Sequence, residues 1–161
     1  MIFYCPHCWK ELSDGQASCP FCHESISSWD EKTFTDKLVH ALFHPEPVTQ
    51  TRAVYLLGER KSKESLRPLT RLFQQSKNVF LQSEIIAAAG KIGGDDAFVL
   101  VLQALRHRSF IVIGEAAKTL RRFRGYPAVR KELRIAFEDA SDYVREKAHE
   151  TLEDFRSAGA N

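Results

Sequence analysis

Sliding the segment Arg52-Ala53-Val54-Tyr55-Leu56-Leu57-Gly58 along the sequence brings three columns into phase. Ala53 falls on Ile85, Ala116 and Ala148; Leu57 falls on Ala89, Leu120 and Leu152; upstream, Leu42 falls on Phe73, Leu105 and Phe137. The interval is 31 or 32 residues in every column. A fixed period of that length marks stacked structural units, none of which can bury its apolar face alone. Within a unit the apolar spacing is helical: Thr49, Ala53 and Leu57 lie at i, i+4 and i+8, as do Leu81, Ile85 and Ala89. Turn-forming stretches (Pro45-Glu46-Pro47, Gln75 to Asn78, His107 to Ser109, Asp139 to Asp142) divide each unit in two. Gly93-Gly94 and Gly125-Tyr126-Pro127 separate one unit from the next, and Gly58 and Gly90 read as C-caps. The pattern predicts helices over 33–43, 48–59, 64–75, 79–91, 95–106, 110–124, 127–138 and 142–156. The fold class is therefore all-α: a short α-solenoid of four helix pairs, preceded by a small N-terminal module outside the repeats.

A small residue inside most of the second helices, with Val144-Arg145…Ala148…Thr151-Leu152 as the clearest instance, resembles the HEAT repeat. The likeness is strongest to the short HEAT-like form associated with phycobilin lyases, and covers residues 34–156. It implies a binding scaffold and no particular partner, and it carries no lyase motif that transfers residue by residue.

All four cysteines of the chain fall within residues 5–22, as Cys5-Pro6-His7-Cys8 and Cys19-Pro20-Phe21-Cys22. Two matched C-P-x-C units ten residues apart place two thiolates on each side of an ion, the arrangement that tetrahedral zinc requires. Ser13-Asp14-Gly15 supplies turn chemistry between them. Four thiolates fill the coordination shell and leave no open position for catalysis, so the expected cofactor is structural Zn2+ held by Cys5, Cys8, Cys19 and Cys22. His7 and His23 read as exposed knuckle residues. The pattern resembles short zinc ribbons found at the ends of bacterial proteins, which serve protein contacts, nucleic-acid contacts and capping alike. The expected division is a ribbon over residues 1–25, a linker or cap over 26–33, and the repeats over 34–157. In the linker, Ser28 and Glu31 have capping-box spacing, and Trp29 and Phe34 are placed to cover the first repeat. Whether the ribbon packs on the solenoid or swings free is open.

Composition narrows the function. The net charge is +2, 27% of residues are charged with both signs interspersed, and the mean hydropathy is −0.31. With no spanning apolar run and no leader at Met-Ile-Phe-Tyr-Cys, the expectation is a cytoplasmic protein without a membrane partner. HEAT-like deoxyhypusine hydroxylases carry several His-Glu pairs at equivalent helix positions. Here only His149-Glu150 does, against Val54-Tyr55, Ile86-Ala87 and Ala117-Lys118. No phosphate loop, spare cysteine nucleophile or paired-carboxylate motif is present. The expectation is a non-enzyme without a small-molecule substrate.

Helical steps place Val48, Arg52, Tyr55 and Glu59 on the face of the first unit's second helix opposite its core stripe. The same face carries Phe80, Glu84, Ala87 and Lys91, then Ile111, Glu115, Lys118 and Arg122, and last Tyr143, Lys147, Glu150 and Asp154. Val48, Phe80, Ile111 and Tyr143 either form an apolar ridge beside a mixed-charge groove or pack under their own turns. The expected partner-binding residues are Val48, Arg52, Tyr55, Phe80, Glu84, Ile111, Lys118, Arg122 and Tyr143, for a protein or peptide partner. The competing reading is nucleic acid. From Arg106 to Arg134 nine basic residues face only Glu115 and Glu132, but the acidic fourth unit opposes a long duplex.

Overall fold

The computed structural model describes residues 3–13 and 15–157. Eight helices follow a short two-stranded hairpin: α1 (Phe34–Ala41), α2 (Pro47–Glu59), α3 (Leu66–Gln75), α4 (Val79–Ile92), α5 (Asp95–Ala104), α6 (Phe110–Thr119), α7 (Val129–Phe137) and α8 (Asp142–Ser157). The predicted pairs are all present. The third second-helix differs in detail, because α6 stops at Thr119 and a 3-10 turn (Leu120–Phe123) carries the chain on.

The helix starts show why these segments form. Thr33 and Asp36 make a reciprocal capping box at α1. Pro47 opens α2, and the Asn78 side chain accepts from the amides of Phe80 and Leu81 at α4. The capping box is thus Thr33-Asp36, not Ser28-Glu31. Ser28 sits instead in a 3-10 turn over Ser27–Trp29, and its hydroxyl donates to the Ser25 carbonyl at 2.7 Å.

The three repeat columns line the core. Ala53, Ile85, Ala116 and Ala148 are buried, as are Leu57, Ala89 and Leu120, with Leu152 half-buried. The upstream column thins toward the end of the stack: Leu42 and Phe73 are buried, Leu105 is half-buried, and Phe137 is exposed. Helices α2, α4, α6 and α8 each pack broadly on the next, whereas α1, α3, α5 and α7 touch their successors little. The closely packed layer is the shorter side of the stack, so α2, α4, α6 and α8 form its concave face.

Glycine makes that packing possible, in a way that differs from the C-cap reading. Gly58 and Gly90 lie inside α2 and α4, and both are buried. A Cβ on Gly58 would stand 2.9 Å from both Cα and Cβ of Ala88 in α4. A Cβ on Gly90 would collide with Thr119, and one on Gly114 with the ring of Tyr143. Each step along the inner layer therefore contains one glycine where the next helix lies against bare backbone. The residue that ends α4 is Gly93, with φ +72°.

Polar groups, Gln82 and Thr151 among them buried, tie the layers together. Gln82 donates from its amide to the carbonyls of Phe73 and Ser76, and the Thr151 hydroxyl reaches the Ala117 carbonyl of the preceding inner helix. Asp95 at the start of α5 accepts from the Tyr126 hydroxyl at 2.7 Å, beside packed rings of Phe98, Phe123 and Tyr126.

On α8 the side that would meet a further unit is polar. Glu146, His149 and Glu153 occupy the positions held by Thr51, Val54 and Gly58 in α2, and by Gly114, Ala117 and Arg121 after two more periods. Phe137 stacks on His149 at 5.9 Å, and His149 lies 3.8 Å from Glu153.

Replacing Gly58 by alanine normally strengthens a helix by about 1 kcal/mol. Here the added methyl meets backbone, and overpacking of this kind costs about 1–3 kcal/mol. G58A is expected to lower the denaturation midpoint, while Gly125→Ala, with open space around it, leaves it unchanged or slightly raised. Parallel urea titrations followed by circular dichroism check the contrast.

Candidate metal centre and concave surface

Both C-P-x-C segments fold into the same small loop. In the first, flanked by β1 (Phe3–Tyr4) and β2 (Glu11–Leu12), the Trp9 amide donates to the Cys5 carbonyl, and the Cys5 amide to the Lys10 carbonyl. In the second, flanked by a bridge between Ser18 and Ser25, His23 and Cys19 repeat those bonds with the carbonyls of Cys19 and Glu24. Trp9 and His23, each directly after its second cysteine, take φ near +60°. The loops also turn one amide inward each: His7 N–H to Cys5 Sγ and Phe21 N–H to Cys19 Sγ, both at 3.4 Å. Of the joining Ser13-Asp14-Gly15 turn, Gly15 has φ +77° and Asp14 lies outside the described residues.

The four sulfurs all lie within 4.8 Å of one another, with Cys5–Cys22 and Cys8–Cys19 at 3.7 Å. A regular tetrahedron with metal–sulfur bonds of about 2.3 Å has edges of about 3.8 Å, so the cluster has the right size for one ion. Its proton chemistry agrees. Burial opposes ionisation of Cys19, but the amides of Cys22 and Phe21 outweigh it and bring the thiol down to about 6. Cys22 accepts from the Glu24 amide, yet burial and the three neighbouring sulfurs push it up to about 12. Four thiolates this close need a cation between them. Cys5, Cys8, Cys19 and Cys22 are thus brought together as expected, and they can bind a metal ion.

The ribbon is docked on the solenoid. Trp9 lies 4.4 Å from the ring of His40 and 5.0 Å from that of His44, at the C-terminal end of α1. Trp29 meets the same His40 edge-on at 4.9 Å. Burial holds His40 below the usual imidazole range, which favours the uncharged ring in this aromatic cluster. His7 differs from its reading as an exposed knuckle residue. It is half-buried, with Nε2 3.1 Å from the Ser25 carbonyl and 3.3 Å from the Ser28 hydroxyl, and it braces the knuckle against the linker. Trp29 covers the first repeat as expected, but Phe34 is exposed with the Arg60 guanidinium over its ring. Trp9, which the sequence reading left out, does that work in its place. Only its position next to Cys8 in a tight knuckle could have marked it.

The concave face carries the residues assigned to it. Val48 and Phe80 are 66% and 67% exposed, and both are the second residue of their helix. Ile111 and Tyr143 hold the same place in α6 and α8 but are less free: Ile111 is half-buried, and the Tyr143 ring rests on Gly114. Arg52, Tyr55, Glu84 and Arg122 are exposed, and Lys118 is half-exposed. Tyr55, Glu84, Ala87, Lys91, Lys118 and Arg122 line a groove of about 400 Å³ across α2, α4 and α6. A second hollow, bounded by Val48, Arg52, Tyr55 and Glu84, continues it toward the start of α2. Much of its charge is internally matched. Lys91 bonds Glu59 of the neighbouring helix at 2.5 Å and lies over Tyr55, Lys118 pairs with Glu115, and Lys147 pairs with Glu150. Arg52, Glu84, Arg121 and Arg122 make no ion pair among the described residues.

With this geometry in view, the comparisons place the fold. Residues 35–109 match HEAT repeats. The structure of human deoxyhypusine hydroxylase in complex with glycerol is similar, with a TM-score of 0.66 and 21% identity over 79% of this chain. So is an engineered protein, with a TM-score of 0.54 and 20% identity over 75% of the chain. The chain spans 45% and 62% of those two proteins. At such identities the likeness is one of fold. No curated protein matches the sequence. Among the described residues no helix is long and apolar enough to cross a membrane, and the four cysteines are the one cluster with metal-ligand geometry.

Both tryptophans of the chain sit at the ribbon–α1 junction, so tryptophan fluorescence, excited selectively over tyrosine, reports on that junction. Treatment with a strong chelator is expected to shift the emission to the red while most of the helical dichroism remains. An unchanged emission spectrum on metal loss would separate the metal from the docking.

Proposed function

We propose that this protein is a non-enzymatic adaptor, in which a structural zinc site caps a HEAT-like solenoid whose concave face binds another protein. The observation that carries the reading is the row of helix-start side chains beside the groove, with Val48 and Phe80 two-thirds exposed. Large apolar groups left in water along one edge of a concavity mark a contact surface. Zinc is the metal that a closed tetrathiolate shell favours, and it supplies folding energy rather than chemistry there. His149 and Glu150 are both exposed, Glu150 is paired with Lys147, and the repeats hold no second His-Glu pair to join them. The phycobilin-lyase-type likeness of the fourth unit adds a fold and no reaction.

Nucleic acid is the second reading, favoured by Arg121, Arg122, Arg124, Arg130, Lys131 and Arg134. All are exposed and without ion pairs among the described residues. Against it stand Glu138, Glu146, Glu150 and Asp154, exposed on the adjoining unit.

Affinity isolation of the full zinc-loaded chain from its source lysate, with protein and nucleic-acid staining, tests the proposal. Wild-type protein is expected to retain a stoichiometric protein that Val48→Asp and Phe80→Asp variants of unchanged helicity lose. Recovery of nucleic acid alone, or capture indifferent to both variants, overturns it.

A further inference from the structure

The two rims of the groove differ in chemistry. The inner helices run in the same sense, so all their starts lie along one rim and all their ends along the other. The starting rim is apolar, with Val48, Phe80 and Ile111 at the second position of α2, α4 and α6. The ending rim is cationic over α6. There Glu59 and Lys91 neutralise each other, while Arg121 and Arg122, both lining the groove, have no carboxylate partner among the described residues. From Val48 to Glu59 the rims are eleven helical steps apart, about 16 Å at 1.5 Å per residue. A helix with its side chains is about 10–12 Å across and fits between them, whereas a single extended strand leaves most of that width empty.

Spacing agrees with width. Packed helices lie about 8–10 Å apart, so the apolar side chains of the starting rim recur at about that interval. Along an α-helix, residues seven apart recur every ~10.5 Å. A helix laid across the inner layer therefore presents one heptad position to each successive unit. Its opposite edge faces Arg121 and Arg122, which favour carboxylates.

Resting on the protein-binding reading above, we propose that the groove takes an acidic amphipathic α-helix of a partner protein. It crosses α2, α4 and α6 with an apolar row against Val48, Phe80 and Ile111 and a row of Glu or Asp against Arg121 and Arg122. The fourth unit is outside the footprint, because Asp154 makes its rim acidic and Tyr143 is engaged with Gly114.

The test uses three fluorescein-labelled peptides of about 21 residues, three heptads at 1.5 Å per residue, titrated with the full zinc-loaded chain and read by anisotropy. One has a Leu row and a Glu edge, one the same Leu row and a Lys edge, and one the first composition scrambled. The Glu-edged helix is expected to bind at least ~tenfold more tightly than the other two. Phe80→Asp, an exposed position, is expected to abolish that binding, and the Arg121→Glu/Arg122→Glu double variant to reverse the preference toward the Lys edge. Equal binding of all three peptides, or a preference untouched by the double variant, overturns the proposal. If no peptide binds while the affinity isolation still yields a Phe80-dependent protein, the acidic-helix inference falls and the adaptor reading stands. If the isolation fails as well, both fall.

Discussion

Close approach of the inner helices is the constraint from which the rest of the architecture follows. Placing Gly58, Gly90 and Gly114 at the successive inner contacts lets one layer draw together, while α1, α3, α5 and α7 stay apart. Curvature is the result, and a curved stack has a hollow side. Lining that hollow are the residues that the core does not use, since helical geometry sends the faces opposite Ala53, Ile85, Ala116 and Ala148 into it. Groove and core are two readings of one periodicity.

At the other end of the chain burial contributes little, and the four cysteines are placed where a metal ion could hold them. A ribbon of some twenty residues has almost no core, and Cys5 and Cys19 are its only buried side chains among the described residues. The metal-binding loops nevertheless do more than hold themselves together. Trp9 leaves the first knuckle in a left-handed conformation, which aims its ring at His40 and His44 of α1. The left-handed backbone beside the cysteine cluster thus delivers the aromatic surface that covers the first repeat, with Trp29 closing the same cluster from the linker. The cysteine cluster and the solenoid share one interface, with the ribbon packed on His40 and His44 at the end of α1.

Much of this was legible in the sequence, for identifiable reasons. Period and phase are properties of residue order, so the three columns located all four helix pairs, and the C-P-x-C spacing located the cysteine cluster. What remained hidden depends on proximity in space. Gly58 and Gly90 looked like helix ends because glycine after an apolar run ordinarily is one; only the position of Ala88 and Thr119 shows them as contact points. Ser28 with Glu31 had the spacing of a cap, but Thr33 with Asp36 had it as well, five residues later, and the longer helical run lay beyond the latter. The docking of Trp9 on His40 joins residues far apart in sequence, with no periodicity to expose it. For the concave rim, helical steps named the right face but could not tell that Tyr143 would settle over Gly114 while Phe80 stood free.

The polar outer side of α8 has a consequence for how molecules meet one another. Arrays of like units are prone to continue from one molecule into the next, since the end of each stack resembles the interfaces within it. Here Glu146, His149 and Glu153 put carboxylates and an imidazole where a copy of α2 would need bare backbone and small side chains. At the opposite end the aromatic cluster of the ribbon lies over α1. Among the described residues the α8 end thus lacks the small-residue surface by which one unit closes on the next.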